Sequence, residues 1–317
     1  MKHASLVLAS LVMMSAFGAT AFAAPDKLRI GTPEAVGFNF YMLDAGIDLG
    51  IFRKYDLDIE RIDVEGGAKL HQAMAAGSLD IALGGGTDLL FVAKGSPEKA
   101  VAVLGTAPAN LAVLVRGDSP IKTIEDLKGK KIAATTVGSL TSWFAQEIAR
   151  REGWGVDGVT LVYLGGNESR LAGLATKTVD AVSGSIEVGH IRGAQGKYRM
   201  IVKGGAFVHD FVASVIYASN ATIAERPDAL RRFLKGWFET VAYLRRHKQE
   251  AIPLMAKIMK APEDAVARIY DDEIDSYPTD GRFDRHSLHI VEQALVDFHR
   301  IDKMPDDSAL LTEAYLP

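Results

Sequence analysis

Two widely separated stretches of this chain follow one plan, and that repetition constrains the fold more than any other feature. Met74-Ala-Ala-Gly-Ser-Leu-Asp-Ile-Ala-Leu-Gly84 and Leu174-Ala-Thr-Lys-Thr-Val-Asp-Ala-Val-Ser-Gly184 each read as a helix end, a tight turn, an aspartate (Asp80 or Asp180), a short buried strand and a glycine. A second pair sets Leu28-Arg-Ile-Gly-Thr32 beside Lys131-Ile-Ala-Ala-Thr135, each a strand feeding a small-residue loop and a helix. Such units recur in many folds, so coincidence is the rival explanation. The reading adopted is that the chain contains two similar halves.

The rest of the sequence keeps the same rhythm. Strand-like runs at 28–31, 57–64, 79–83, 100–105, 131–134, 159–164 and 179–183 alternate with helical patterns such as 39–49 and 69–76. Alternation of this kind predicts an α/β fold of mostly parallel sheets flanked by helices. Leu111 to Arg116 and Phe211 to Tyr217 are also strand-like and bracket the second half, so a two-strand hinge is expected. Residues 24–112 and 212–317 then form lobe 1, with 113–211 inserted as lobe 2. Beyond Pro227, suited to a first helical turn, Leu230, Phe233, Leu234, Trp237, Phe238, Val241 and Leu244 mark a core-facing helical stripe. A further helix is expected over roughly 285–301.

The N-terminus indicates the compartment. Lys2 and His3 precede an apolar run that closes in Ala21-Phe22-Ala23, the pattern of a cleavable signal peptide over 1–23. A membrane anchor of similar length is the alternative. Cysteine is absent, which rules out disulfides, thiolate metal sites, cysteine nucleophiles and a lipidated cysteine anchor. With 40 acidic and 36 basic side chains the net charge is −4, no footprint of a nucleic-acid or anionic-membrane surface. No HExxH spacing, GxxxxGK[ST] loop or strand-linked GxGxxG occurs, so metalloprotease, nucleotide and dinucleotide chemistry lack their signatures.

In open α/β sheets ligands bind beyond the C-terminal ends of the strands. Four loops meet that description. The first carries Glu34, Phe38, Asn39 and Phe40. The second is Gly84-Gly85-Gly86-Thr87-Asp88, whose glycines allow close backbone approach or simply make a tight turn. The third runs from Thr135 through Gly138, Ser139 and Thr141 into a helix, where the hydroxyls cap the helix, face a ligand, or both. The fourth, 184–189, places Glu187 where Thr87 stands in the first half. Glu34 and Glu187 are better read as hydrogen-bonding groups than as a catalytic pair, since no local base or metal partner accompanies them. His71 is expected on a helix surface, Arg170 at the start of a helix, on its surface by default or else reaching an anion, and His209-Asp210 at the cleft rim.

At these positions the chain resembles the nitrate, sulfonate, taurine and thiamine-pyrimidine binding-protein family, the periplasmic components of ABC importers. The resemblance rests on 45–59, with Gly50-Ile-Phe and Tyr55-Asp-Leu-Asp-Ile59, on 73–82, on Ile124-Glu-Asp-Leu-Lys-Gly-Lys-Lys-Ile132 and on Asp280-Gly-Arg-Phe-Asp284. It implies a two-lobed binding protein that closes on a small organic compound, sulfonate, aromatic or pyrimidine-like, and passes it to a permease and its ATPase. It also implies a monomer free in the periplasm, with no cofactor and no catalysis. Carried over position by position, the ligand would touch 38–40, 85–87, 138–141 and Glu187. Where the family often has Glu-Pro, this chain has Glu187-Val188. The rival implied function is a pyrimidine-synthesising enzyme, although those enzymes use a cysteine-rich motif that this chain lacks. A sensor subunit presenting its ligand to a receptor is the third possibility.

Overall fold

The protein is described by a computed structural model over residues 24–317, and the segment assigned to the signal peptide lies outside the described residues. Ten strands form two five-stranded sheets of the same connectivity. The first sheet has the order β2-β1-β3-β10-β4, built from β1 (Asp26–Thr32), β2 (Leu57–Asp63), β3 (Ile81–Gly85), β4 (Glu98–Gly105) and β10 (Ser214–Ser219). The second has the order β7-β6-β8-β5-β9, built from β5 (Leu111–Arg116), β6 (Lys131–Ala134), β7 (Thr160–Tyr163), β8 (Ala181–Ser185) and β9 (Tyr198–Lys203). In each sheet four strands point the same way, and the strand fourth in order runs antiparallel to them: β10 in the first, β5 in the second. This is the α/β architecture the alternation predicts.

The repeated aspartates explain why the sequence repeats. Asp80 accepts the Arg29 backbone N–H at 2.8 Å, and Asp180 accepts the Lys131 backbone N–H at 2.9 Å. Each carboxylate ties the turn before the third strand of its half to the first strand. The pairing aligns Arg29 with Lys131, so the strand echo read from the sequence is displaced by one residue. Two other expectations shift: the strand placed at 211–217 begins at Ser214, and β9 had no counterpart in the sequence reading.

Helices α1 (Phe38–Asp48), α2 (Ile51–Lys54), α3 (Gly67–Ala75) and α4 (Leu89–Ala93) belong to the first half, and α5 (Leu140–Arg151), α6 (Asn167–Ala175), α7 (Ile186–Gly193) and α8 (Gly204–Phe207) to the second. After β10 come α9 (Asn220–Glu225), α10 (Pro227–Arg246), α11 (Lys248–Met259), α12 (Glu263–Glu273), α13 (Arg285–Asp297) and α14 (Asp307–Leu310). Pro227 opens α10, and its stripe from Leu230 to Leu244 packs with α1 and β1 in one core, where Trp237 is fully buried. A second core, including Leu70, Ile132, Phe144 and Leu288, continues from one half to the other. Within it Trp143 of α5 stacks on Phe211 of the returning connection, with ring centroids 3.8 Å apart.

Candidate functional site

The two sheets present loop-bearing ends to each other. Between them lies about 550 Å³ of empty space, its open mouth included. From the first half it is lined by Pro33, Glu34, Val36, Gly37 and Phe40 after β1, Gly67 at the start of α3, and Gly84 and Gly85 at the end of β3 with Asp88 beyond it. The second half supplies Thr135, Ser139, Leu140 and Thr141 after β6 and Ser185 at the end of β8, while Asn110, Leu111 and Ser214 come from the chain crossings. Glu34, Phe40, Gly85, Ser139 and Thr141 thus meet at one cleft.

The other residues singled out in the sequence lie just behind this surface. Phe38 is fully buried, its ring edge-on to Tyr270 at 6.2 Å and stacked on Tyr277 at 6.3 Å. Asn39 is buried, and among the described residues neither side-chain amide atom has a partner. A Cβ on Gly86 would stand 1.7 Å from the Val212 carbonyl oxygen, so this glycine serves close packing against the chain crossing. Thr87 is buried with its hydroxyl unpaired, and Gly138 adopts a left-handed φ of 78° over Leu90. His209 and Asp210 are exposed and do not line the cleft.

Hydroxyls organise the wall of the second half. Ser139 is the N-cap of α5: its Oγ accepts the Ser142 N–H at 3.3 Å, donates to the Thr136 carbonyl at 2.7 Å and lies 3.0 Å from Thr141 Oγ1. Thr141 Oγ1 also accepts the Thr135 N–H at 3.0 Å. The hydroxyls fix the loop and leave the start of α5 facing the cleft, where its dipole favours a negative group.

Glu34 and Glu187 both bridge the halves. Glu34 Oε1 stands 2.5 Å from Arg170 Nη2, whose partner nitrogen donates to the Ser183 carbonyl at 2.6 Å. Arg170 is fully buried, contrary to the surface position expected from sequence. Burial pushes the Glu34 carboxyl up against the opposing pull of the Arg170 charge. Glu187 is also fully buried, and it lies in the first turn of α7, where the sequence suggested a loop. Its carboxylate accepts the Phe38 N–H and the Ser185 hydroxyl, so it caps α1 from the opposite half. Burial raises its pKa too, partly offset by those hydrogen bonds. Away from the cleft lining, Asp272 of α12 meets His190 Nε2 of α7 and Lys203 Nζ of β9, each at 2.7 Å.

The NMT1/THI5-like family profile matches residues 38–251, spanning both walls of this cleft. The chain belongs to that family. It is 27% identical over 276 residues to a provisionally named aliphatic sulfonates-binding protein of Escherichia coli (strain K12), covering 84% of this chain and 82% of that protein. The fold matches the alkanesulfonate-binding protein SsuA from Xanthomonas axonopodis pv. citri bound to MOPS, with a TM-score of 0.74, 20% identity and coverage of 93% and 99%. It also matches the desulfurization enzyme DSZB, with a TM-score of 0.65, 16% identity and coverage of 92% and 97%. One fold therefore serves both a binding protein and an enzyme.

Cleft residues that the sequence reading did not select include Gly67, Asp88, Leu140 and Ser185, together with Asn110 and Ser214 on the crossings. Thr135 and Asp88 stood inside the quoted loops but carried no separate signal. Asn110 and Ser214 reach the site only because both chain crossings pass beside it.

Proposed function

We propose that this protein is the periplasmic solute-binding component of an ABC importer, capturing a small organic compound between two lobes. Lobe 1 comprises residues 24–112 and 212–317, lobe 2 residues 113–211, and the connections between β4 and β5 and between β9 and β10 serve as the hinge. The carrying observation is that one cleft takes groups from the strand ends of both sheets and is bridged by Glu34–Arg170 and Glu187–Phe38. A ligand touching both walls binds the closed form better than the open form, and that difference drives closure. A sulfonate is the favoured class: the start of α5 and its hydroxyls suit an anionic oxygen cluster, and the relatives described above are named for sulfonates. Aromatic acids and pyrimidines remain in the test set, because Phe40 offers an apolar face.

The experiment is a thermal-shift screen of the mature chain against alkanesulfonates, aromatic acids and pyrimidines. A ligand at 100 times its Kd should add about 2.7 kcal/mol of stability. Scattering should report compaction with the same ligand. A ligand that stabilises the chain without compaction would refute capture by closure. The fold likeness to DSZB favours an enzyme as the second reading; product formed from a bound compound by the purified chain alone would establish it.

A further inference from the structure

Behind the Gly84–Gly86 turn lies a buried ionic group that ligand capture, as described so far, leaves without a role. His71 of α3 is 2% exposed, not on the helix surface as its sequence context implied. Its Nδ1 is 2.9 Å from Glu98 Oε1 on β4, and its Nε2 is 3.2 Å from Asp88 Oδ2. The Nε2 contact has ion-pair distance but lies off the hydrogen-bond axis. The ring stacks on Phe91 with centroids 4.8 Å apart and meets Tyr217 of β10 edge-on at 5.0 Å. Ser96 donates to the same Glu98 oxygen. These are the polar and charged groups facing the imidazole from α4, β4 and β10.

The chain of contacts continues into the cleft. Asp88 Oδ2 accepts the Gly85 N–H at 2.8 Å, and the Gly85 carbonyl accepts the Tyr217 hydroxyl at 2.8 Å. Gly84, Gly85 and Asp88 all line the cleft. Gly84 and Gly85 end β3 in register with Val215 and Ser214 of β10, and without side chains they depend on such backbone partners to set their peptide planes. Here the two peptide planes that meet at Gly85 are each gripped, the first at the Gly85 N–H by a carboxylate and the second at the Gly85 C=O by a phenol.

We propose that His71 is a positioning residue for ligand capture: as an imidazolium between Asp88 and Glu98 it fixes the Asp88 carboxylate, and through it the Gly85 peptide that the ligand meets. Two carboxylates flank the two ring nitrogens, and only the charged ring can donate from both. Burial works to lower the His71 pKa, but the hydrogen bonds and charges of Asp88 and Glu98 outweigh it and hold the value at about 9. Tyr217 stays protonated, because burial first, and then the Asp88 and Glu98 charges, raise its pKa well above the ordinary phenol value. Loss of the His71 proton leaves one buried carboxylate short of a donor, which is costly in a dry site. The grip on Gly85 loosens as pH rises through the His71 value.

The inference rests on the cleft being the binding site, and the test separates the two. In the isotope-labelled mature chain, the His71 ring and the Gly85 amide are followed by NMR from pH 6.5 to 10 without ligand. Both should move with one midpoint near 9, and in Asp88→Asn the Gly85 amide should no longer titrate. A ring that titrates near 6.5, or a Gly85 amide indifferent to it, overturns the proposal whatever the ligand. Affinity for butanesulfonate, whose charge is constant over this range, should fall by up to about fivefold between pH 9 and 10. His71→Gln should bind it weakly with a flat profile; a pH profile unchanged by that substitution also refutes the role. Should no sulfonate bind, the ligand class of the proposed function fails while the NMR measurement still decides His71.

Discussion

A single ion pair carries much of the case for closure. Arg170 is buried in the second half and meets Glu34 from the first. Truncating one member of a buried, hydrogen-bonded pair typically costs about 2–5 kcal/mol, largely because the survivor is left unpaired. Opening the cleft relieves that penalty by returning Glu34 to water. Arg170→Ala is therefore expected to give a larger radius of gyration without ligand and at least about tenfold weaker binding, whereas Glu34→Gln, which keeps an acceptor, should do less. Scattering of an Arg170→Ala chain as compact as the parent would contradict this. Acid has the opposite effect to truncation. Burial raises the pKa of both Glu34 and Glu187, so under the closure proposed above the closed form holds protons that the open form releases. That contribution is fully present below the ordinary carboxyl pKa and is lost as pH rises through the closed-form values. Because the chain has no cysteine, one introduced at Arg53 and one at Lys128 would carry a fluorescent pair, and energy transfer should increase on acidification toward pH 4. The sequence offered Glu34, Glu187 and Phe38 as cleft candidates but not the pairing of Glu34 with Arg170 or of Glu187 with the Phe38 N–H. Nothing near Arg170 in the sequence indicates burial, since an arginine at a helix start ordinarily faces water, and only folding brings β8 and the β1 loop around it.

At the level of elements, the cleft depends on small residues whose work is steric. Gly86→Ala drives a methyl into the Val212 carbonyl oxygen, a backbone atom with little room to retreat. The expected cost is about 1–3 kcal/mol or more, read as a lower denaturant midpoint. Ser139→Ala removes the cap of α5 and should cost about 1 kcal/mol, with a disproportionate loss of sulfonate affinity if α5 receives the anion. Equal affinity in Ser139→Ala and the parent would exclude that placement. The β-α rhythm made seven of the ten strands legible, because a strand feeding a helix leaves a clear change of period. Strand β9 escaped: Tyr198-Arg-Met-Ile-Val-Lys203 neither alternates cleanly nor ends in a helical pattern long enough to mark it. His71 escaped for another reason. Its helix reads as amphipathic, yet its histidine faces β4 and β10, strands far away in the sequence.

For the molecule as a whole, the repeated aspartate motif disclosed the two matching sheets before any coordinates. It did not disclose that the fourth strand in each order comes from a chain crossing, β5 from the outgoing one and β10 from the returning one. That arrangement bears on biogenesis. Strand β10 fills the gap between β3 and β4, yet roughly a hundred residues separate it from β4, on the order of 10 s of synthesis. Until then the opening segment has two strands with no neighbour between them and cannot finish its core. A fragment ending at Arg116 is expected to show no protected amides in hydrogen exchange, and protection there would refute the dependence. For the exported role proposed above, such a built-in delay is useful: the nascent protein keeps itself unfinished, and so threadable, until about seven-tenths of it has been made.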